Sequence, residues 1–167
     1  LIGYDARYNS ETFARDTAEI LAGAGLQPML TATWVPTPVV AFGIRHFDAV
    51  AGVVVTASHN PPQDNGYKVY VGPSQIVPPT DAEIAAHIEV AARGPLADLP
   101  RSSDYEIVGE PLLQAYVARA ASLVAPQAPR DLRWVYTAMH GVGAEVVARV
   151  LERTGFPAPA LVSEQAV

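Results

Sequence analysis

The chain has 167 residues, half of them hydrophobic and 17% charged, with a net charge of -6. That much apolar material builds a packed core and excludes a disordered chain, while the acidic balance leaves no basic footprint for nucleic acid or an anionic membrane. The absence of cysteine excludes disulfides and thiolate metal sites. No apolar run is long enough to span a bilayer, and residue 1 leads into strand-like sequence rather than a signal peptide, so a soluble cytoplasmic protein is expected.

Leu1-Ile2-Gly3-Tyr4-Asp5 reads as the end of a buried strand. Asp5-Ala6-Arg7 follows in the loop to the first helix, where Arg7 either pairs with a carboxylate to hold the loop or reaches a phosphate. Ser10 suits the N-cap of a helix through Ala24, with Phe13, Thr17, Ile20, Leu21 and Ala24 on one face and Gly25 after its end. Pro28 to Trp34 predicts a strand. Thr37-Pro38 opens a helix, Thr37 capping and Pro38 at its first position, that runs through Arg45 and partly buries Val39, Val40, Phe42 and Ile44. Ala51 to Ala57, apolar and valine-rich, predicts a strand covered on both faces. The alternation of strand and helix predicts right-handed βαβ units, whose ligands sit beyond the carboxyl ends of the strands.

Ser58 stands at such an end. Asn60-Pro61-Pro62 stops the ladder, because proline lacks an N–H and fixes φ. Asp64-Asn65-Gly66 turns the chain, and from Tyr67 a strand resumes, with Tyr67, Val69 and Val71 on one face and Lys68 and Tyr70 on the other. A serine hydroxyl held there beside His59 can act as a nucleophile or carry a phosphoryl group. A phosphoserine brings nearly two negative charges that need cations and donors. Lys68 is the sole lysine among 11 cationic residues, and an ammonium, unlike a guanidinium, can be tuned to exchange protons. Taken residue by residue, Ser58 to Gly66 is also an ordinary polar loop, and a serine-histidine pair alone carries little weight. A serine hydrolase is a poor reading, because there is no Gly-x-Ser-x-Gly elbow and the adjacency of Ser58 and His59 does not give triad geometry.

Farther along, Gly72-Pro73-Ser74 predicts a turn before a short segment through Val77. Thr80-Asp81-Ala82-Glu83 reads as a capping box, opening a helix that buries Ile84, Ile88 and Ala91 and stops at Gly94. His87 within it is expected to be solvated. Pro95 to Asp104 is a polar connection, and Pro111 to Val124 predicts another helix, with Arg119 on its solvated face. Ala125 to Arg130 has linker character. Leu132 to Thr137 then predicts a strand, Ala144 to Arg153 a helix ended by Gly155, and Leu161-Val162 the start of a further strand. His140-Gly141-Val142-Gly143 precedes that helix as a glycine turn, a geometry able to hold a phosphate but equally a plain strand-to-helix connection.

The whole run from Thr56 to Lys68, Thr-Ala-Ser-His-Asn-Pro continuing to Asn-Gly-Tyr-Lys, resembles the active-serine loop of the α-D-phosphohexomutases, the phosphoglucomutases and phosphomannomutases. Asp5-Ala6-Arg7 and Thr137 to Gly143 are similar to further family segments. The resemblance implies an α/β fold: a mixed, mostly parallel sheet with helices on both faces, over residues 1–125 as an N-terminally incomplete first domain, a linker at 126–131, and the start of a second such domain at 132–167. It implies that Ser58 is phosphorylated in the resting enzyme and hands its phosphoryl group to a hexose 1- or 6-phosphate, forming a bisphosphorylated sugar that returns the other group. Lys68 is then a proton shuttle or electrostatic stabiliser, and His59 a donor to phosphoserine or sugar oxygens. Arg7 and Asn60 become phosphate-binding candidates, and Ser58 a ligand of Mg²⁺. The family's aspartate metal loop, its sugar-recognition and phosphate-binding loops, and an arginine-bearing segment before Leu1 are missing from this sequence, so the chain is expected to be a fragment inactive by itself. Sugar phosphates are the expected partners and a hexose 1,6-bisphosphate the expected activator. Glucose phosphate is the first choice of substrate, with mannose or pentose phosphate, or a non-catalytic sugar-phosphate-binding module, as alternatives.

Overall fold

The structure, a computed structural model, describes residues 1–72 and 74–165. The elements in order are β1 (Ile2–Tyr4), α1 (Ser10–Gly23), β2 (Met29–Thr31), α2 (Thr37–His46), β3 (Ala51–Val55), β4 (Tyr67–Val71), β5 (Ser74–Gln75), α3 (Thr80–Ala91), β6 (Glu106–Val108), α4 (Glu110–Ala121), β7 (Val135–Tyr136), α5 (Ala144–Thr154) and β8 (Ala160–Leu161). The first six strands form one sheet in the order β5-β4-β3-β1-β2-β6. Strands β3, β1, β2 and β6 run parallel, whereas β4 and β5 fold back antiparallel at one edge. This is the expected mixed, mostly parallel sheet.

Helices cover both of its faces. On one face Ile2, Tyr4, Leu30 and Val55 pack against Ala14 and Ala18 of α1. On the other, Leu1, Val54, Tyr70 and Val108 pack against Val39, Val40 and Ile44 of α2 and Leu112 and Val117 of α4. Successive residues of β3 feed opposite cores, as a strand's period of two requires. The valine run therefore forms a doubly covered strand. Near the end of the described chain, β7 and β8 form a separate parallel pair, and α5 packs against α4 with Val146 reaching the second core.

Several local expectations change. Ser10 is not a cap but the first residue of α1; Asn9, at φ 63, stands before it without a side-chain cap bond. The buried stripe of α1 is Ser10, Ala14 and Ala18, small residues that let the helix lie close to the sheet, and Phe13 is exposed. Gly25 does follow the helix in the left-handed conformation, at φ 82. Thr37 lies inside α2, with Pro36 at the N-cap. The capping box at Thr80 does not form: Pro79 is the N-cap, and its carbonyl accepts the Glu83 N–H instead. Helix α3 buries none of its residues, leaving Ile88 and Val90 exposed. The sequence reading misses β6 altogether. Pro73 of the expected Gly72-Pro73-Ser74 turn, and residues 166 and 167, lie outside the described residues. No described helix is long and apolar enough to cross a membrane.

Candidate active site

Strands β1 and β3 are parallel neighbours that end together, Tyr4 opposite Val55. Their loops therefore leave the sheet side by side at its carboxyl edge, where open α/β sheets place ligands. The Asp5 N–H donates to the Val55 carbonyl at 3.1 Å, and Thr56 N–H donates to Gly66 O at 2.9 Å, closing the serine loop on itself. Inside it, Asn60 N–H donates to Ala57 O at 3.1 Å and Asp64 N–H to Pro61 O at 3.0 Å, so the loop is two successive tight turns.

Ser58 sits exposed at the first of these turns, at φ 57. A left-handed conformation costs a non-glycine residue on the order of 1–3 kcal/mol and persists only where the surroundings enforce it. Part of that enforcement is Thr56, whose buried Oγ1 accepts the Ser58 N–H at 3.0 Å. The Ser58 hydroxyl lies 3.4 Å from His59 Nδ1, a long contact that a rotation of either exposed side chain can tighten.

Arg7 provides more of the support. Its side chain is only 13% exposed, and Nε pairs with Asp5 Oδ2 at 3.2 Å. Nη2 donates to Ser58 O and Asn60 O, each at 2.7 Å, while Nη1 donates to Pro61 O at 2.6 Å and Asp64 O at 3.4 Å. The loop-holding reading of Arg7 thus extends from its own loop to the serine loop, and no terminal N–H is left over for a phosphate in this arrangement. Asp5 is in turn fixed by Arg7 N–H at 3.1 Å and by Ser10 Oγ at 2.7 Å. Asn65 closes the frame: its Nδ2 donates to Tyr8 O at 2.7 Å and its Oδ1 accepts the Gly66 N–H at 3.2 Å. Ser10 and Asn65 look in sequence like a cap and a turn residue, and nothing in the spacing of 55 positions between them announces their contact.

Lys68 pairs with Val54 across the antiparallel β3–β4 ladder and shares a face with it and with Tyr70. It is half-buried and makes no hydrogen bond or ion pair with a described residue, so its ammonium is uncommitted within them. Tyr67 points to the opposite face, where its hydroxyl meets Thr17 Oγ1 at 2.7 Å. Asn60 contributes its backbone to the loop, and its side chain is exposed. The sequence candidates Arg7, Ser58, His59 and Asn60 are thus contiguous in space. Chemically, the arrangement presents one exposed hydroxyl on a braced loop, with an imidazole beside it and a lysine on the returning strand. Among the described residues no group of three or more His, Asp or Glu side chains converges to hold a metal ion. An apolar cavity of about 90 Å³ between the ends of β2 and β6 and the starts of α2 and α4 is lined by none of these residues.

Comparison with known proteins agrees with this geometry. Residues 1–93 match the family model of phosphoglucomutase/phosphomannomutase, alpha/beta/alpha domain I. The chain is 52% identical over 169 residues to a probable phosphomannomutase of Haemophilus influenzae, covering 99% of this chain and 35% of that protein. It is 31% identical over 173 residues to a phosphoglucomutase of Staphylococcus haemolyticus, covering 99% of this chain and 31% of that one. Among solved structures, a putative phosphomannomutase from Thermus thermophilus superimposes with a TM-score of 0.79 at 29% identity, over 99% of this chain and 37% of that one. The chain spans about a third of the length of these relatives. With the braced serine loop falling inside the matched residues, the chain belongs to the phosphoglucomutase/phosphomannomutase family.

Proposed function

We propose that the protein containing this chain is a phosphohexomutase that moves a phosphoryl group between the 1- and 6-positions of a hexose through Ser58. The observation that carries this reading is the presentation of Ser58: exposed, left-handed at φ 57, and braced from Thr56 and Arg7 at the carboxyl edge of the sheet. In the first transfer the bond from phosphorus to Ser58 Oγ breaks as one to a sugar hydroxyl oxygen forms. In the return transfer the other phosphorus–oxygen bond of the bisphosphorylated sugar breaks as the bond to Ser58 Oγ re-forms. In the first the proton leaving the sugar hydroxyl ends on Oγ, and in the return the proton leaving the Ser58 hydroxyl ends on the sugar oxygen, with Lys68 as the relay in both. Such transfers depend on alignment and charge neutralisation more than on covalent help from the protein. His59 donates to the phosphoserine or sugar oxygens, and Asn60 is a further candidate contact of the phosphate. Mg²⁺, which phosphohexomutases use, has one proposed ligand in this chain, a phosphoserine oxygen of Ser58, and the described residues complete no cage around it. We propose the first domain as residues 1–125 and the second as beginning at 132, with 126–131 joining them.

Glucose phosphate is one candidate substrate. Mannose phosphate stands beside it, because the relative at 52% identity is named a probable phosphomannomutase. The test is peptide mass spectrometry of the intact protein, before and after incubation with hexose 1,6-bisphosphate, then chased with glucose 1-phosphate or mannose 1-phosphate and Mg²⁺. Phosphate on Ser58 that one of the sugars removes supports the mutase and names the sugar. A Ser58 that stays unmodified throughout sinks the reading and leaves a sugar-phosphate-binding module.

A further inference from the structure

We infer that Arg7 is a positioning residue, a clamp that gathers the carbonyls of the serine loop and thereby holds Ser58 at its left-handed angle, rather than a group that binds substrate phosphate. The inference rests on the reading of Ser58 as the phosphoryl carrier and adds the device that presents it. Four carbonyl oxygens, those of Ser58, Asn60, Pro61 and Asp64, converge on one guanidinium at 2.6 to 3.4 Å. Two of them flank Ser58 closely: its own carbonyl, and that of Asn60 two residues on. With its carbonyls drawn to Arg7, the loop keeps the negative ends of those dipoles on a cation instead of facing a phosphoserine dianion. The His59 N–H meanwhile has no acceptor among the described residues and is available to an incoming oxyanion. Asp5 fixes the orientation of the fork, since it pairs with Arg7 Nε at 3.2 Å and is itself held by the Arg7 N–H and Ser10 Oγ.

A lysine cannot replace this fork, because an ammonium is a point charge with three donors and no planar pair of terminal nitrogens to span four acceptors. In the intact protein, Arg7→Lys, Arg7→Ala and Asp5→Asn are compared by steady-state kinetics, by backbone hydrogen exchange over residues 58–65, and by thermal unfolding. Arg7→Lys is expected to lower kcat about a hundredfold, the scale of a misplaced reacting group, while KM stays within about threefold. Exchange at 58–65 should quicken while the core strands remain protected, Asp5→Asn should show a milder form of both effects, and added guanidinium ion should restore part of the kcat of Arg7→Ala. A raised KM with kcat retained in Arg7→Lys overturns the clamp in favour of a phosphate contact, and so does unchanged loop exchange. Wild-type protein with neither turnover nor phosphate on Ser58 counts against the proposed function alone; loop exchange then decides whether Arg7 is a clamp.

Discussion

Thr56 holds Ser58 from the strand side with a single hydrogen bond, from the Ser58 N–H to Oγ1 at 3.0 Å, made where the threonine is 8% exposed. Valine matches its shape but offers no acceptor, so Thr56→Val leaves the Ser58 N–H without its partner. The expected cost is about 1 kcal/mol, the net worth of a typical protein hydrogen bond, with faster amide exchange at Ser58. Thr56→Ser keeps the acceptor and should keep the Ser58 amide protected; equal exchange in the two variants would mean that the bond does not hold the residue. At this scale the sequence carries much of the candidate site. Ser58, His59 and Lys68 belong to one contiguous run, and a serine after a buried strand has few other places to go. What holds them is illegible there, because Arg7 reaches carbonyls 51 to 57 residues away, and a carbonyl target leaves no trace in side-chain identity.

The strand that delivers Ser58 is packed tightly enough to test as an element. A Cβ added at Gly52 of β3 would stand 2.4 Å from Ile44 Cδ1 and 2.8 Å from Ile44 Cγ1. Ile44 is 1% exposed within the core under α2 and has little room to withdraw. Gly52→Ala is therefore expected to destabilise by about 1–3 kcal/mol through overpacking. Ile44→Val removes the closest atom, so the double variant should lose less than the sum of the two single losses in chemical denaturation; strict additivity would show that the two sites do not share the space. Helices α1, α2, α4 and α5 were legible as elements, although the stripe that α1 buries is set by its small residues and not by the larger apolar ones. Strand β6 was not, because it has three residues, only Val108 is buried, and its pairing with β2 supplies what its own pattern lacks. Helix α3 failed in the other direction: Ile84, Ile88 and Ala91 are spaced for burial, yet Ile84 is only half-buried and Ile88 and Ala91 stay exposed.

Across the whole molecule, the six-stranded sheet and the β7–α5–β8 unit meet at helices α4 and α5. The apolar part of that contact runs through Val146, and its polar rim is Arg149, which bonds Glu110 of α4 at 2.6 Å and Glu145 of its own helix at 2.5 Å. The Arg149 hydrogen bond, followed by that of Gln114, holds the Glu110 carboxyl below its ordinary value of 4.5. A carboxyl lowered in the folded state favours folding while ionised, so its contribution is fully present above pH 4.5 and fades as the pH falls through the folded value. Both partners are partly exposed, so the contribution is small and salt-sensitive. Glu110→Gln removes the titrating group but keeps a side chain of similar size at the start of α4. The wild type should therefore be slightly the more stable at neutral pH, and thermal unfolding followed downward from pH 6 should bring the two proteins together below pH 4.5. Added salt at neutral pH should narrow the same gap. A difference that is constant across the titration would assign the contact between α4 and α5 to its apolar side chains alone, and Arg149 would then be a surface ion pair of no consequence to how the two sheets are joined.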